Sequence, residues 1–142
     1  YQQVLKSADI KPMPGLDYLL NFLQQNNFKI AVATSSFLED INVIFPKLNL
    51  VPYFDLLVTC EDVTRGKPAP DIYLKAAEKL NIKPADCLAL EDSESGVTAG
   101  NSAEMKVIAV PNKFTKNHDF SRADLIVNSL KSINLNTIEK LL

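Results

Sequence analysis

The chain has 142 residues, 46% of them hydrophobic and 23% charged, with a formal net charge of −2, the profile of one globular domain. So small a charge gives no electrostatic case for nucleic acid or an anionic membrane as partner. No apolar run approaches the roughly 20 residues of a membrane span, and the N-terminus lacks the apolar core of a secretory signal.

In chain order, residues 2–8 are expected to form a short helix, broken by Pro12 and Pro14. Leu16, Leu19, Leu20 and Leu23 fall at helical spacing and predict an amphipathic helix over about 15–26. Residues 28–33 read as a buried strand, followed at once by Thr34, Ser35 and Ser36. Ser36 and Glu39 have the spacing of a capping box, which predicts a helix from about Phe37 that Pro46 ends or kinks. A second strand is expected over 54–59, then a polar loop. Pro70 and Asp71 suit the first turn of the next helix, whose buried face is Ile72, Tyr73, Ala76, Ala77 and Leu80. Pro84 and Asp86 mark a turn before an apolar strand, 87–91, that ends in the adjacent acids Glu91 and Asp92. Ser93 is an N-cap candidate for a helix running to about Ser102. A fourth strand is expected over 106–110, a polar loop over 112–123 and a short fifth strand over 124–127. Asn136 and Glu139 resemble a capping box for a last helix. Cys60 and Cys87 each end an apolar run and, with one histidine in the chain, read as buried reduced thiols of a cytoplasmic protein.

Strands alternating with helices predict an α/β fold, a mostly parallel sheet covered on both faces. Right-handed crossovers place every strand's carboxyl end on one edge, marked here by Thr34, Thr59, Asp92 and Pro111. Ligands of such sheets bind beyond that edge. Three groups meet there: the hydroxyls of Thr34, Ser35 and Ser36, the lysine of Gly66-Lys67-Pro68, and the acids Glu91 and Asp92. Hydroxyls and N–H groups at a helix start suit a phosphate oxygen, and a lysine is a point charge for a phosphoryl group. The acids suit Mg2+, which takes one or two carboxylates plus phosphate and water. Phosphoryl transfer needs mostly such positioning and charge stabilisation.

Three stretches carry a resemblance. Residues 30–36, residues 66–73 (Gly-Lys-Pro-Ala-Pro-Asp-Ile-Tyr) and residues 90–96 (Leu-Glu-Asp-Ser-Glu-Ser-Gly) resemble the second, third and fourth motifs of the haloacid dehalogenase superfamily, in its β-phosphoglucomutase-like branch. The resemblance implies a three-layer Rossmann-like core and Mg2+-dependent phosphoryl transfer or hydrolysis on a small phosphorylated metabolite, foremost a sugar phosphate. By it, Thr34 hydrogen-bonds the phosphoryl group, aided by Ser35, and Lys67 balances charge between that group and the nucleophile. Asp92 is expected to hold Mg2+, with Glu91 as a direct or water-mediated partner. Lys67 is expected to act through charge, so that its removal leaves folding near normal. Ser36 is assigned a capping role, Asp71 a loop-bracing role, and His118 a place on the surface.

The chain departs from the family pattern at two places. Glu104 stands where family members often have Gly, which implies a left-handed residue under modest strain. No Asp-x-Asp strand is present, and the first Asp of that motif is the family's nucleophile. Residues 1–13 resemble the end of the helical cap and its linker, and 14–142 a partial core. With Tyr1 first and Met13 the first methionine, the sequence reads as a piece of a longer or processed chain, whose missing N-terminal segment is an expected partner. The strands at 30–33 and 88–91 should then pair directly, recruit a strand, or leave the domain marginally stable, and the chain alone should be inactive. An alternative is a non-catalytic domain of this fold used for binding or assembly. A phosphoacceptor receiver domain fits poorly, because there the acid pair precedes the Thr and Lys.

Overall fold

The computed structural model describes Ser7 and residues 9–142. The helix expected over 2–8 lies outside the described residues, apart from Ser7. In order come α1 Leu16–Gln25, β1 Ala31–Ala33, α2 Leu38–Lys47, β2 Leu56–Val58, α3 Asp71–Leu80, β3 Leu88–Glu91, α4 Glu94–Ser102, β4 Lys106–Ala109, β5 Leu125–Ile126 and α5 Leu135–Leu141. No described helix is long and apolar enough to cross a membrane. Cys60 and Cys87 are unpaired and half-buried.

All the ladders are parallel: β1 pairs β2, and β3–β4–β5 form a second sheet. The first ladder is shorter than the apolar runs that feed it, because side chains close both ends. Asp55 takes the Ile30 N–H on its carboxylate at 2.9 Å, and Asp62 takes the Thr59 N–H at 2.8 Å. Helices α3 and α4 cover one face of both sheets. Their core runs without a break from Val58 on β2 through Tyr73 and Val97 to Ala89 and Val107 on β3 and β4. On the other face Leu19 of α1 and Ile138 of α5 pack with Ile108 and Leu130. The result is the three-layer α/β arrangement expected from the sequence. Gly100 lets α4 sit close on the sheet: a β-carbon there would lie 2.8 Å from Val107 Cγ2.

β1 and β3 do not pair with each other; the two sheets face one another across an apolar slot of about 420 Å³. Residues 28–33 line one side of it and 87–90 the other, with Leu19 and Leu23 below and Tyr73 and Ala77 above. The shared helical layers, not a backbone ladder, hold the halves together.

Four helices end alike. Asn27, Asn49, Asn81 and Glu104 take φ near 60° (60, 55, 55 and 63), and the next N–H reaches back into the last turn: Phe28 to Leu23, Leu50 to Phe45, Ile82 to Ala77, Met105 to Gly100. This is the left-handed stop that favours Gly or Asn, so the strain expected at Glu104 is present. Two expected caps differ. α2 starts on Phe37 with no side-chain cap of its own, since the Ser36 N–H turns back to Thr34 Oγ1 at 3.1 Å. Glu61 instead takes the Leu38 N–H at 2.8 Å. α5 is capped by Asn134, whose side chain accepts the Thr137 N–H at 3.0 Å, and not by Asn136.

Candidate functional site

Parallel strands bring the ends of β1 and β3 and the loop before α3 to one edge. There Thr34, Ser35, Ser36, Lys67, Glu91 and Asp92 line one cleft of about 420 Å³, joined by Ser93 and Ser95. Every residue singled out for the site from the sequence is therefore at the same opening, which continues toward the slot between the sheets.

Thr34 follows β1, and its N–H extends the ladder to Val58 O at 3.0 Å. Its hydroxyl oxygen accepts from Ser36 N–H, which leaves the hydroxyl proton to donate. Ser35 at the turn is exposed.

Lys67 bridges the two sheets. Its ammonium donates to Ala33 O on β1 at 3.1 Å and to Glu91 Oε1 on β3 at 2.5 Å, and lies 5.0 Å from the centre of the Tyr73 ring. The side chains of Lys67 and Glu91 are only 12% and 7% exposed. A buried ion pair cannot lose one member without leaving a desolvated charge, which costs about 3–5 kcal/mol. The expectation that Lys67 could be removed with folding near normal is therefore corrected: it acts through charge, but that charge also neutralises a buried carboxylate.

Glu91 accepts from Tyr73 as well, the hydroxyl donating to the same Oε1. Burial, then the Glu91 charge, pushes the Tyr73 phenol well above its ordinary range, so it stays a donor. The carboxylate fits only because residue 96 is glycine. A β-carbon there would lie 1.9 Å from Glu91 Oε2. Sequence reasoning placed Tyr73 in the core and missed its hydroxyl; the signal was a buried phenol on an otherwise apolar helix face, which must find an acceptor.

Asp92 is exposed to the cleft. Its Oδ2 accepts from Asn112 Nδ2 at 3.0 Å. Asn112 is itself fixed, its side-chain carbonyl taking the N–H groups of Phe114 at 2.8 Å and Thr115 at 3.2 Å. Asn112 was also missed, though it stands just past β4 on the edge that Pro111 marked. Ser93 caps α4, accepting from Gly96 N–H at 3.2 Å, as expected. Asp71 braces the loop through Arg65, with contacts of 2.7 and 3.2 Å. His118 is exposed, and its Nδ1 accepts the Glu94 N–H at 3.2 Å.

Among the described residues no three His, Cys, Asp or Glu side chains gather as a ligand set. Glu91 is already satisfied by a cation and a phenol, whereas Asp92 keeps a carboxylate open to the cleft. That suits a hard ion taking one protein carboxylate and completing its shell with other oxygens, the habit of Mg2+.

A family model described as haloacid dehalogenase-like hydrolase matches residues 1–104. The chain is 40% identical over 127 residues to a bifunctional riboflavin kinase/FMN phosphatase of Arabidopsis thaliana, covering 89% of this chain and 34% of that protein. It is 34% identical over 128 residues to a beta-phosphoglucomutase of Bacillus subtilis, covering 90% and 54%. A crystal structure of CbbY from Rhodobacter sphaeroides in complex with xylulose-(1,5)bisphosphate superposes with a TM-score of 0.89 at 26% identity, over 96% of this chain and 63% of that one. The chain thus spans between a third and somewhat over half the length of these two curated relatives.

Proposed function

We propose a phosphoryl-transfer function for this chain, which belongs to the haloacid dehalogenase-like hydrolase family. Relatives in that family include phosphatases and a phosphoglucomutase. The reaction is Mg2+-dependent transfer or hydrolysis of a phosphoryl group on a small phosphorylated metabolite, foremost a sugar phosphate. The supporting observation is the convergence of Thr34, Lys67 and Asp92 on one cleft, with the Lys67 ammonium held between two strand ends.

Phosphoryl transfer asks for positioning and for positive charge where negative charge spreads over the equatorial oxygens. The Thr34 hydroxyl, its oxygen already engaged, gives its proton to a phosphoryl oxygen, and Ser35 offers a second donor. Lys67 has three N–H groups, of which two are used; the third serves the phosphoryl group and its attacking carboxylate. Asp92 would hold Mg2+, and Glu91, bound to Lys67 and Tyr73, would reach it through water at most. When bound, the ion neutralises charge on the phosphoryl oxygens.

The nucleophile is proposed to lie outside these 142 residues. The acids lining the cleft are Glu91 and Asp92, one paired and one assigned to the metal. A strand carrying an aspartate, seated between β1 and β3, would fill the apolar slot and present its acid beside Lys67. The apolar lining of the slot and the greater length of the relatives support that arrangement. The chain by itself then binds phosphate and metal but does not turn over.

The test uses the complete protein and a panel of sugar phosphates with Mg2+. Lys67→Met combined with Glu91→Gln removes both buried charges together, so the fold is kept. Turnover is expected to fall roughly 100-fold or more, the scale of one lost transition-state contact. A folded double variant with parental turnover would show that Lys67 plays no part in the chemistry, as would suit a domain kept for binding or assembly.

A further inference from the structure

The Tyr73 hydroxyl has no place in the reaction described above, yet it ends on that reaction's charged core. Tyr73 is 7% exposed, deep on α3, with its ring in the core that spans both sheets. A phenylalanine would fill the same apolar space. The oxygen is what the packing does not explain, and it donates to Glu91 Oε1, the atom that also accepts from Lys67. The three groups close a triangle, because the Lys67 ammonium lies against the Tyr73 ring while sharing its acceptor.

We propose that Tyr73 is a positioning residue, whose hydroxyl holds the Glu91 carboxylate so that Lys67 is aimed at the cleft with one N–H left for a phosphoryl oxygen. Glu91 reaches this spot along a three-carbon side chain with rotatable bonds, and Lys67 along a longer one. Neither fixes itself. Gly96 leaves open space beside the carboxylate, where a β-carbon would lie 1.9 Å from Oε2, and Ala33 O gives Lys67 a single further anchor. Tyr73 is the one partner in the triangle whose donor atom sits on a rigid ring clamped in the core. A fixed carboxylate in a site shielded from water directs an ammonium far more strongly than a mobile one. The sequence carries the same logic: Lys67 and Tyr73 are joined by a short turn into the first turn of α3, so ring and ammonium are set by one local segment.

This inference rests on the phosphoryl-transfer reading, and two measurements on the complete enzyme separate their fates. The first is turnover of p-nitrophenyl phosphate with Mg2+. Tyr73→Phe is expected to lower kcat about 10-fold, the scale of one hydrogen bond to a charged group, with KM changed by less than about twofold, as for an interaction felt in the transition state. In the Lys67→Met, Glu91→Gln background, which leaves no unpaired buried charge, the same substitution should change the residual kcat by less than about twofold, because the path from Tyr73 to Lys67 is already cut. Parental kcat in Tyr73→Phe, or effects that multiply in the combined variant, would overturn the proposal. The second measurement is the 15N ammonium resonance of Lys67, which needs no turnover. Fixed partners should slow its proton exchange and make it visible in the parent, and Tyr73→Phe should broaden it away. If the resonance behaves so while no phosphatase activity exists, the positioning contact stands and the phosphoryl-transfer reading fails. A resonance absent in the parent, or unmoved by Tyr73→Phe, rules out the positioning role whatever the activity.

Discussion

Asp92 and Glu94 are two residues apart, both acidic and both exposed, yet they differ in what holds them. Asn112 fixes one oxygen of Asp92 toward the cleft, whereas Glu94 accepts the N–H of Asp119 at 3.1 Å and serves the loop. In the complete enzyme Asp92→Asn should therefore weaken Mg2+ dependence and activity far more than Glu94→Gln. Equal small shifts of the two variants in a Mg2+ titration would remove Asp92 from the metal. The place of Asp92 was legible because a strand end is a position along the chain. Its orientation was not, because Asn112 comes from the loop after β4 and meets it only after the sheet forms. Glu104 shows the reverse case, in which a single residue disclosed its own conformation. With φ at 63° it bears the left-handed penalty that Asn27, Asn49 and Asn81 soften. Glu104→Gly should raise stability by about 1 kcal/mol, read as a higher denaturant midpoint at unchanged slope; a lower midpoint would mean the Glu104 side chain contributes more than its backbone costs.

Helices were more legible than strands or caps. α1 and α4 begin and end within a residue or so of their predicted bounds, and α3 starts at the expected Asp71, since 3.6-residue periodicity and punctuation by Asn, Pro and Ser act locally. β1 and β2 are half as long as their apolar runs, because Asp55 and Asp62 divert the terminal N–H groups. Caps failed where the donor's partner came from elsewhere, as with Glu61 at α2. The short turn Cys60–Asp62 after β2 carries a capping box of its own, Thr59 with Asp62. Hydrogen bonds from the Thr59 backbone, and then from its hydroxyl, hold the Asp62 carboxyl below the ordinary aspartate range. A carboxylate depressed in the folded state stabilises above its unfolded pKa and loses that contribution as pH falls through the folded value. Asp62→Asn should thus lower the melting temperature at neutral pH, and the difference from the parent should shrink as the pH drops below the ordinary aspartate range. A difference constant with pH would mean that the charge of Asp62 contributes nothing to the cap.

At the scale of the whole molecule, two parallel half-sheets share helical layers and one cleft. The α/β class and the common strand edge were legible, because alternation and handedness leave few topologies. What the chain would do at the junction of 28–33 and 87–91 was open, since nothing local decides between pairing and separation. The structure keeps the strands apart across an apolar slot, with Lys67 spanning their ends. A strand edge left without partners costs about 1–3 kcal/mol for each buried group unmade, against roughly 5–15 kcal/mol for the stability of a domain. A strand entering the slot would relieve that cost and bring a nucleophile to groups already assembled. The most direct measurement is phosphate release by the purified 142-residue chain, with Mg2+ and a panel of sugar phosphates, beside the same chain extended by an upstream strand bearing Asp-x-Asp. The expected result is no multiple turnover by the chain alone and Mg2+-dependent turnover by the extended protein. Metal-dependent multiple turnover by the 142 residues alone, abolished by Asp92→Ala, would contradict it.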